Sequence, residues 1–273
     1  MPRPLFSRTR QPVRNADSRP RYGRIWNRRS GNYGNTATLP IMPIMPIMRS
    51  ESPVGKQRDE SNRQVIGITG GIGSGKSRVC SFLAEKYGFP LINLDSVCRD
   101  ILQPQKAGWQ ALRDFLPDKY FRENGEIDRR HFRRQLFADS ALRSRVDAVL
   151  HPIARRETEQ RIAGFIAGPD ADFDGPILVE IPLLFEAGWQ GSVDLILVVY
   201  ADIPIRLQRI MQRDRVSEEQ AKKAVAAQQC LREKAAAADY VIDNSGPWER
   251  TCSQIHELVG LGVFCMDFFR KKY

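Results

Sequence analysis

The residues best suited to chemistry form one stretch, Gly-Gly-Ile-Gly-Ser-Gly-Lys-Ser at positions 70–77, which fits the phosphate-binding pattern G-x-x-x-x-G-K-[ST] at every fixed position. Glycines allow successive backbone N–H groups to point inward and surround phosphate oxygens. We expect Lys76 to reach the β- and γ-phosphates of a nucleotide, and the Ser77 hydroxyl to bind Mg²⁺. The predicted nucleotide-binding residues are Gly71, Gly73, Ser74, Gly75, Lys76, Ser77 and, through its backbone N–H, Arg78.

Two elements must hold this loop in place. Residues 65–69 are a short apolar run typical of a buried strand, and residues 77–87 show the apolar spacing of an amphipathic helix. A strand, a glycine turn and a helix in this order would place a phosphate at the positive end of the helix dipole. The alternative is a glycine-rich turn that only joins the strand to the helix.

The apolar pattern along the rest of the chain predicts an α/β fold. Further apolar runs typical of strands occur at 90–94, 176–181, 195–200 and 240–242, whereas residues 96–166 show only helical spacing. We therefore expect a three-layer fold around a five-stranded parallel sheet. Its predicted parts are a core (65–95, 176–203 and 239–262), an inserted helical substrate domain (96–168), a lid (204–238) and a C-terminal tail (263–273).

Residues 1–64 differ in composition from the rest of the chain. They carry 13 of the 42 basic residues but only 4 of the 32 acidic ones, so they account for +9 of the formal charge of +10. Rich in Arg, Pro, Gly and Asn, this segment is expected to be a disordered basic tail. Three interpretations compete: translation upstream of the true start, with Met48 as an internal start, an organellar transit peptide, or a basic arm for nucleic acid. We favour the first, because prolines and late acidic residues oppose an amphipathic transit helix.

The charge and cysteine patterns narrow the classes of partner. Basic and acidic residues nearly balance beyond residue 64, so the folded part is not expected to bind nucleic acid. The longest apolar runs are broken by charge well short of a membrane span. The five cysteines never form a C-x-x-C pair, which suits a reducing compartment. We expect a cytoplasmic protein that is a monomer or small homo-oligomer, with organellar import through residues 1–64 as the alternative.

An ordered set of motifs extends from about Val65 to about Leu258. Its elements are Thr69 to Ser77, Asp95 with Arg99, Gly125 through Asp128-Arg129 to Phe137, His151-Pro152, Ile181 to Glu186, Arg213-Asp214, Gln228, Ala238-Asp239, and Asn244 to Gly246. The glycine loop is shared by many kinases, but the full set is far more selective and resembles the dephospho-coenzyme A kinase family.

This resemblance implies transfer of the γ-phosphoryl group of ATP, with Mg²⁺, to the ribose 3′-hydroxyl of dephospho-coenzyme A. Asp95, at the carboxyl end of a predicted strand, would orient and deprotonate that hydroxyl. Lys76 and Arg213 would stabilise the transferred charge, with Arg209 as the second choice for a lid residue. Asp95 or Ser96 could instead simply cap a helix.

The resemblance also assigns substrate and nucleotide contacts that the residues alone leave open. Arg99 and His151 would bind the substrate together with Asp95, and Asn244 would lie near the adenine of ATP. Taken alone, Arg99 reads as a surface arginine, and His151 as a cap or packing residue where one helix ends and Pro152 starts another. Asn244 reads equally as part of a strand-to-helix turn.

Three positions depart from the family pattern. Asn93 stands where an Asp-x-Asp motif has its first carboxylate, Arg78 replaces a threonine after the loop, and Glu180 stands where aspartate is common. The nearest rivals are other small-molecule P-loop kinases, for a nucleotide, shikimate or gluconate. A GTPase lacks support because no Asn-Lys-x-Asp motif occurs. A nucleic-acid-binding module has support only from the basic tail, and under that hypothesis deletion of residues 1–64 would abolish binding while leaving ATP turnover intact.

Overall fold

The computed structural model describes residues 63–168, 173 and 175–264. Residues 1–62 of the predicted basic tail and residues 265–273 of the predicted C-terminal tail lie outside these residues. Along the described chain, no helix is both long enough and apolar enough to cross a bilayer.

Five parallel strands form the sheet, in the order β2-β3-β1-β4-β5, which confirms the predicted fold class. Because the strands are parallel, their carboxyl ends meet at one edge, and the strand order places the glycine loop after β1 at the middle of that edge. The strands are β1 (Val65–Gly70), β2 (Leu91–Asn93), β3 (Ile177–Glu180), β4 (Leu195–Tyr200) and β5 (Tyr240–Asp243).

Helices cover both faces of the sheet and form the inserted block between β2 and β3. In chain order, the helices of the described residues are α1 (Lys76–Tyr87), α2 (Leu94–Ile101), α3 (Ala107–Arg113), α4 (Arg129–Ala138), α5 (Ser140–Ala167), α6 (Ile203–Asp214), α7 (Glu218–Ala226), α8 (Leu231–Ala237) and α9 (Trp248–Gly260). Short 3₁₀ turns occur at Asp118–Tyr120 and Gln190–Ser192.

The alternation of side chains along the strands divides the apolar core into two layers. On β4, Leu197 and Val199 pack with α1 and α9 on one face, whereas Ile196 and Val198 pack with α2, α5 and α8 on the other. The inserted helices have a further core of their own, which includes Leu112, Leu116, Tyr120, Ile127, Phe132 and Val146. The glycine loop is thus held by a sheet that is buried on both faces.

The segment predicted as a lid divides into parts with different surroundings. Helix α6 buries Leu207 and Ile210 and packs against α7. Helix α8 lies against β4 and contributes Leu231 to the core under the sheet. In the structure, α8 is therefore a piece of the layer that supports the sheet.

The predicted helix boundary at His151-Pro152 is wrong. A single helix, α5, runs through both residues, although Pro152 has no N–H to donate to the carbonyl of Ala148. The residues before Pro152 pack in the core of the inserted helices, and those after it pack beneath the sheet. Burial on both sides of the proline keeps the helix continuous despite the missing hydrogen bond.

We expect Pro152→Ala to raise the free energy of unfolding by about 2 kcal/mol, because it restores an interior helical hydrogen bond at some cost in unfolded-state entropy. Urea unfolding followed by circular dichroism measures this change. Pro204→Ala is the matched control, since Pro204 lies in the first turn of α6, where no hydrogen bond is lost. Equal stabilities for the two variants would contradict a continuous α5.

Candidate active site

The glycine loop between β1 and α1 has the backbone geometry of a phosphate cradle. Gly73 and Gly75 adopt φ values of +77° and +87°, which lie in the left-handed region that favours glycine. Within the described chain, no acceptor contacts the N–H of either glycine. The buried hydroxyl of Ser74 also has no hydrogen-bond partner among the described residues. The loop leads directly into the start of α1, where an anion is electrostatically favoured.

Buried contacts hold the outer side of the loop. The Asn244 amide donates to the Ser74 carbonyl at 2.7 Å and accepts a hydrogen bond from the Thr251 hydroxyl at 2.9 Å. A Cβ on Gly75 would lie 2.2 Å from Asn244 Nδ2, so only glycine fits there. The protein thus uses both ends of the Asn244 amide to support the loop, and the contact of Asn244 with adenine stays a prediction.

Glu180 lies at the centre of the candidate site, although sequence reasoning did not include it among the site residues. It ends β3, next to β1, and is only 3% exposed. Its Oε1 contacts Lys76 Nζ and accepts a hydrogen bond from Ser77 Oγ at 2.6 Å, and its Oε2 accepts one from Asn93 Nδ2 at 2.5 Å. A single carboxylate at the end of an otherwise apolar strand beside the loop was the available signal.

The surroundings of Glu180 keep its carboxyl ionised. Burial acts to raise its pKa, but the charge of Lys76 and hydrogen bonds from Lys76, Ser77 and Asn93 outweigh burial and hold the pKa below its usual value. The two predicted phosphate and metal groups, Lys76 and Ser77, therefore share one negatively charged partner.

Asn93 links this carboxylate to the helix that carries Asp95. While its Nδ2 donates to Glu180, its Oδ1 accepts from the Ser96 N–H at 2.9 Å and caps α2. The alternative that Asp95 or Ser96 caps the helix is wrong, because the helix begins earlier, at Leu94. Asp95 lies exposed in the first turn of α2, at the carboxyl end of β2, and Arg99 is exposed one turn further along.

A cleft of about 420 Å³ lies beside Arg99, between α2, α4 and α5. Apolar side chains and arginines line it, together with Cys98 and Asp147. His151 is exposed on α5, with Nε2 3.9 Å from Asp147 Oδ1. The structure therefore places Arg99 in the cleft and His151 one turn from its wall. The arginines are Arg99, Arg129, Arg133 and Arg143, and the apolar residues include Leu102, Phe132, Val146 and Leu150.

Helix α6 brings two arginines to the loop. Arg206, which is buried, donates from Nε to the Ile72 carbonyl at 2.9 Å. Arg209 donates to the Ser74 carbonyl at 3.3 Å and to the Asn244 carbonyl at 2.9 Å. Burial lowers the pKa of both guanidinium groups. Sequence reasoning counted Arg206 among the arginines of the predicted lid but singled out only Arg213 and Arg209.

Arg213 and Arg78 lie further out. Arg213 forms two hydrogen bonds with Asp214, at 2.7 and 2.8 Å, and these raise the pKa of its guanidinium. The Arg78 guanidinium lies 3.9 Å from the centre of the Trp248 ring, a cation–π contact. In this structure the loop therefore contacts Arg209, the second choice of the prediction, and the phosphate contact of Arg213 stays a prediction.

The described residues contain no cluster of three or more His, Cys, Asp or Glu side chains that could hold a metal ion. One carboxylate and one hydroxyl, from Glu180 and Ser77, do lie together beside the loop. Mg²⁺ typically binds one or two carboxylates and completes its coordination with water and substrate phosphates. The donor set at Glu180 fits that chemistry.

The depressed pKa of Glu180 predicts an acid-dependent loss of stability. Its folded pKa lies below the reference value of 4.5, so its contribution is complete above that pH and is lost as the pH falls through the folded pKa. We expect the wild-type free energy of unfolding to fall more steeply than that of Glu180→Gln as the pH is lowered below 4.5. Glu257→Gln, an exposed change on α9, is the control, and parallel profiles for all three proteins would contradict the assignment.

Comparisons with known proteins agree with the geometry. The family model described as dephospho-CoA kinase matches residues 64–249. A dephospho-CoA kinase of Desulfotalea psychrophila is 38% identical over 191 residues, which cover 70% of this chain and 93% of the relative. A dephospho-CoA kinase domain-containing protein of Danio rerio is 35% identical over 206 residues, which cover 75% and 87% respectively.

Solved structures give the same result. A protein from Thermus thermophilus has a TM-score of 0.62 at 30% identity and matches over 73% of this chain and 98% of its own. A dephospho-CoA kinase from Campylobacter jejuni has a TM-score of 0.54 at 25% identity, with the same coverage. By its fold, its loop and these relatives, the chain belongs to the dephospho-CoA kinase family.

Proposed function

We propose that this protein transfers the γ-phosphoryl group of ATP to the 3′-hydroxyl of dephospho-coenzyme A. The observation that carries the proposal is the meeting of three features at one edge of the sheet. These are the phosphate cradle after β1, the Glu180 cluster that gathers Lys76 and Ser77, and the exposed carboxylate of Asp95 beside an arginine-lined cleft. Family membership supports the same reaction.

The nucleotide binds through the loop. The free N–H groups of Gly73 and Gly75 and the Ser74 hydroxyl donate to phosphate oxygens. Lys76 exchanges its contact with Glu180 for one with the transferred phosphoryl group, where its charge offsets the charge of the equatorial oxygens. Arg209 lies against the loop and Arg213 one turn away, so movement of α6 could bring both to the nucleotide.

Glu180 and Ser77 would hold Mg²⁺ in this proposal. When bound, the ion would neutralise phosphate charge. The Ser77 hydroxyl oxygen would face the ion, whose positive charge would replace that of Lys76 in keeping Glu180 ionised. The amide of Asn93 keeps the Glu180 carboxylate oriented from the side opposite to Lys76. Asn93 thus suits a site whose negative charge comes from Glu180.

Asp95 orients the acceptor hydroxyl and takes its proton. Its position in the first turn of α2 is set by the Asn93 cap, so it lies next to the strand that ends in Glu180. A general base of this kind typically contributes about 10²- to 10⁴-fold to the rate.

The cleft between α2, α4 and α5 binds the rest of dephospho-coenzyme A. Its arginines, among them Arg99, suit the pyrophosphate because guanidinium groups form paired hydrogen bonds with phosphate oxygens. Its apolar floor suits the pantetheine arm. His151 contributes from the next turn of α5, beside Asp147.

We infer that the enzyme works in the cytoplasm as a monomer or small homo-oligomer. Four cysteines of the described chain, Cys80, Cys98, Cys230 and Cys252, are free thiols. Free thiols of this kind are typical of a reducing compartment.

The assignment is tested by ADP release from Mg-ATP on the protein that begins at Asn62. We expect turnover with dephospho-coenzyme A and not with AMP, shikimate, gluconate or adenosine. Lys76→Ala removes the charge that neutralises the phosphoryl group, and Asp95→Asn removes the base, so both should lower kcat by about 10²-fold or more. Preferred turnover of another acceptor would contradict the coenzyme A assignment, and turnover unaffected by Asp95→Asn would contradict its role as the base.

The proposed roles of Arg209 and Arg213, both on α6, are distinguished by the surroundings of each side chain. We expect Arg209→Ala to lower both protein stability and ATP affinity, because Arg209 holds the loop carbonyls as well as facing the nucleotide. Arg213→Ala should leave stability nearly unchanged and lower kcat, since its present partner is the exposed Asp214. Steady-state kinetics paired with urea unfolding separate these effects. Full activity of Arg213→Ala would show that Arg213 has no catalytic role.

A further inference from the structure

Gln228 makes a contact with the glycine loop that the proposed mechanism does not use. It lies in the turn between α7 and α8, more than 150 residues beyond the loop. Its Oε1 accepts a hydrogen bond from the Ile72 N–H at 2.7 Å. The amide oxygen of Gln228 therefore binds a backbone N–H in the middle of the phosphate-binding sequence.

This contact fixes one peptide plane of the loop. A trans peptide points its C=O and N–H in opposite directions, so holding both ends fixes its rotation. The carbonyl of Gly71 accepts from the Ser74 N–H at 3.0 Å, and the Ile72 N–H of the same peptide donates to Gln228. The Gly71–Ile72 peptide is thus held at both ends.

The next peptide depends on the one before it. Arg206 holds the Ile72 carbonyl at 2.9 Å, and the Gly73 N–H points the opposite way, because it belongs to the same peptide plane. Within the described chain, this N–H has no acceptor, and it is a donor for phosphate in the proposed function. Gln228 and Arg206 together therefore set the direction of Gly73 N–H.

The turn that carries Gln228 is itself held by Glu186, in the segment that follows β3. The backbone N–H of Gln229 donates to Glu186 Oε1 at 3.3 Å. The Lys234 Nζ lies 2.6 Å from the same oxygen, and the Lys234 side chain is completely buried. The ion pair fixes α8, and the Gln229 contact fixes the turn before it, to the segment that follows β3.

We propose that Gln228 is a positioning residue for phosphoryl transfer, which aims the loop amides at the phosphates of ATP from a turn fixed by Glu186 and Lys234. The proposal rests on the proposed function, because it assumes that the loop binds ATP. The competing hypothesis is that Gln228 only occupies the place of a phosphate oxygen, so that its hydrogen bond with Ile72 must break before ATP binds.

The test compares two neighbouring glutamines. Gln228→Leu removes the acceptor and keeps a side chain of similar bulk, whereas Gln229→Ala is the control, because the contact of Gln229 with Glu186 uses its backbone. Calorimetry with ATP and Mg²⁺ measures the affinity directly, without dephospho-coenzyme A. We expect Gln228→Leu to weaken ATP binding and raise the KM for ATP by about tenfold, with the KM for dephospho-coenzyme A nearly unchanged.

A second variant separates positioning from general destabilisation. Gln228→Glu keeps the length and the acceptor but places a negative charge beside the phosphates. We expect its ATP affinity, relative to wild type at each pH, to be reduced at neutral pH and to recover as the pH is lowered, because a protonated carboxyl is neutral and still accepts from Ile72. A residue that only stabilises the fold would not produce this pH profile.

The outcomes are distinct. Weaker ATP binding by Gln228→Leu but not by Gln229→Ala, with the pH-dependent recovery of Gln228→Glu, supports the proposal. If Gln228→Leu does not fold, the pH profile of Gln228→Glu decides the question. Equal affinity for Gln228→Leu and Gln229→Ala, or tighter binding by Gln228→Leu, overturns the proposal. Loss of the kinase assignment would appear separately, as ATP binding without turnover of dephospho-coenzyme A in the wild-type protein.

Discussion

The ion pair between Lys76 and Glu180 is the interaction on which the arrangement of the site depends. A buried carboxylate is costly unless charge and hydrogen bonds compensate it, and at Glu180 they come from Lys76 and Ser77 at the start of α1 and from Asn93 at the end of β2. Lys76 of the loop, the Ser77 hydroxyl and the Asn93 cap of the helix that carries Asp95 all contact this one group. Removing the carboxylate would leave the charge of Lys76 without its partner and would disturb all three together.

The same interaction explains two departures from the family pattern. With glutamate at position 180, an aspartate at position 93 would place two carboxylates within hydrogen-bonding distance of each other. Asn93 supplies a donor instead, and its carbonyl oxygen still caps α2. Asn93 and Glu180 are therefore understood as a pair, in which Glu180 carries the charge and Asn93 holds the carboxylate in place.

Much of the fold followed from local patterns, because glycine spacing and apolar runs report directly on backbone conformation and burial. The five strands and the loop were predicted in this way, whereas the family was predicted from the resemblance of the ordered set of motifs. The continuous helix α5 was not predicted, since Pro152 signals a break locally and only packing on both sides overrides that signal. Glu180 was missed as a site residue, and Gln228 was given no role. Their partners are distant in sequence, so their contacts appear only once the strands are placed in order.

The continuity of α5 has a mechanical consequence. At 28 residues and about 1.5 Å per residue, the helix is about 42 Å long, and it joins the core of the inserted helices to the core beneath the sheet. A hinge at Pro152 would have let the cleft swing independently of the sheet. The continuous helix instead couples the two cores, so that closing of the cleft on a substrate would turn the part of α5 after Pro152 against the sheet.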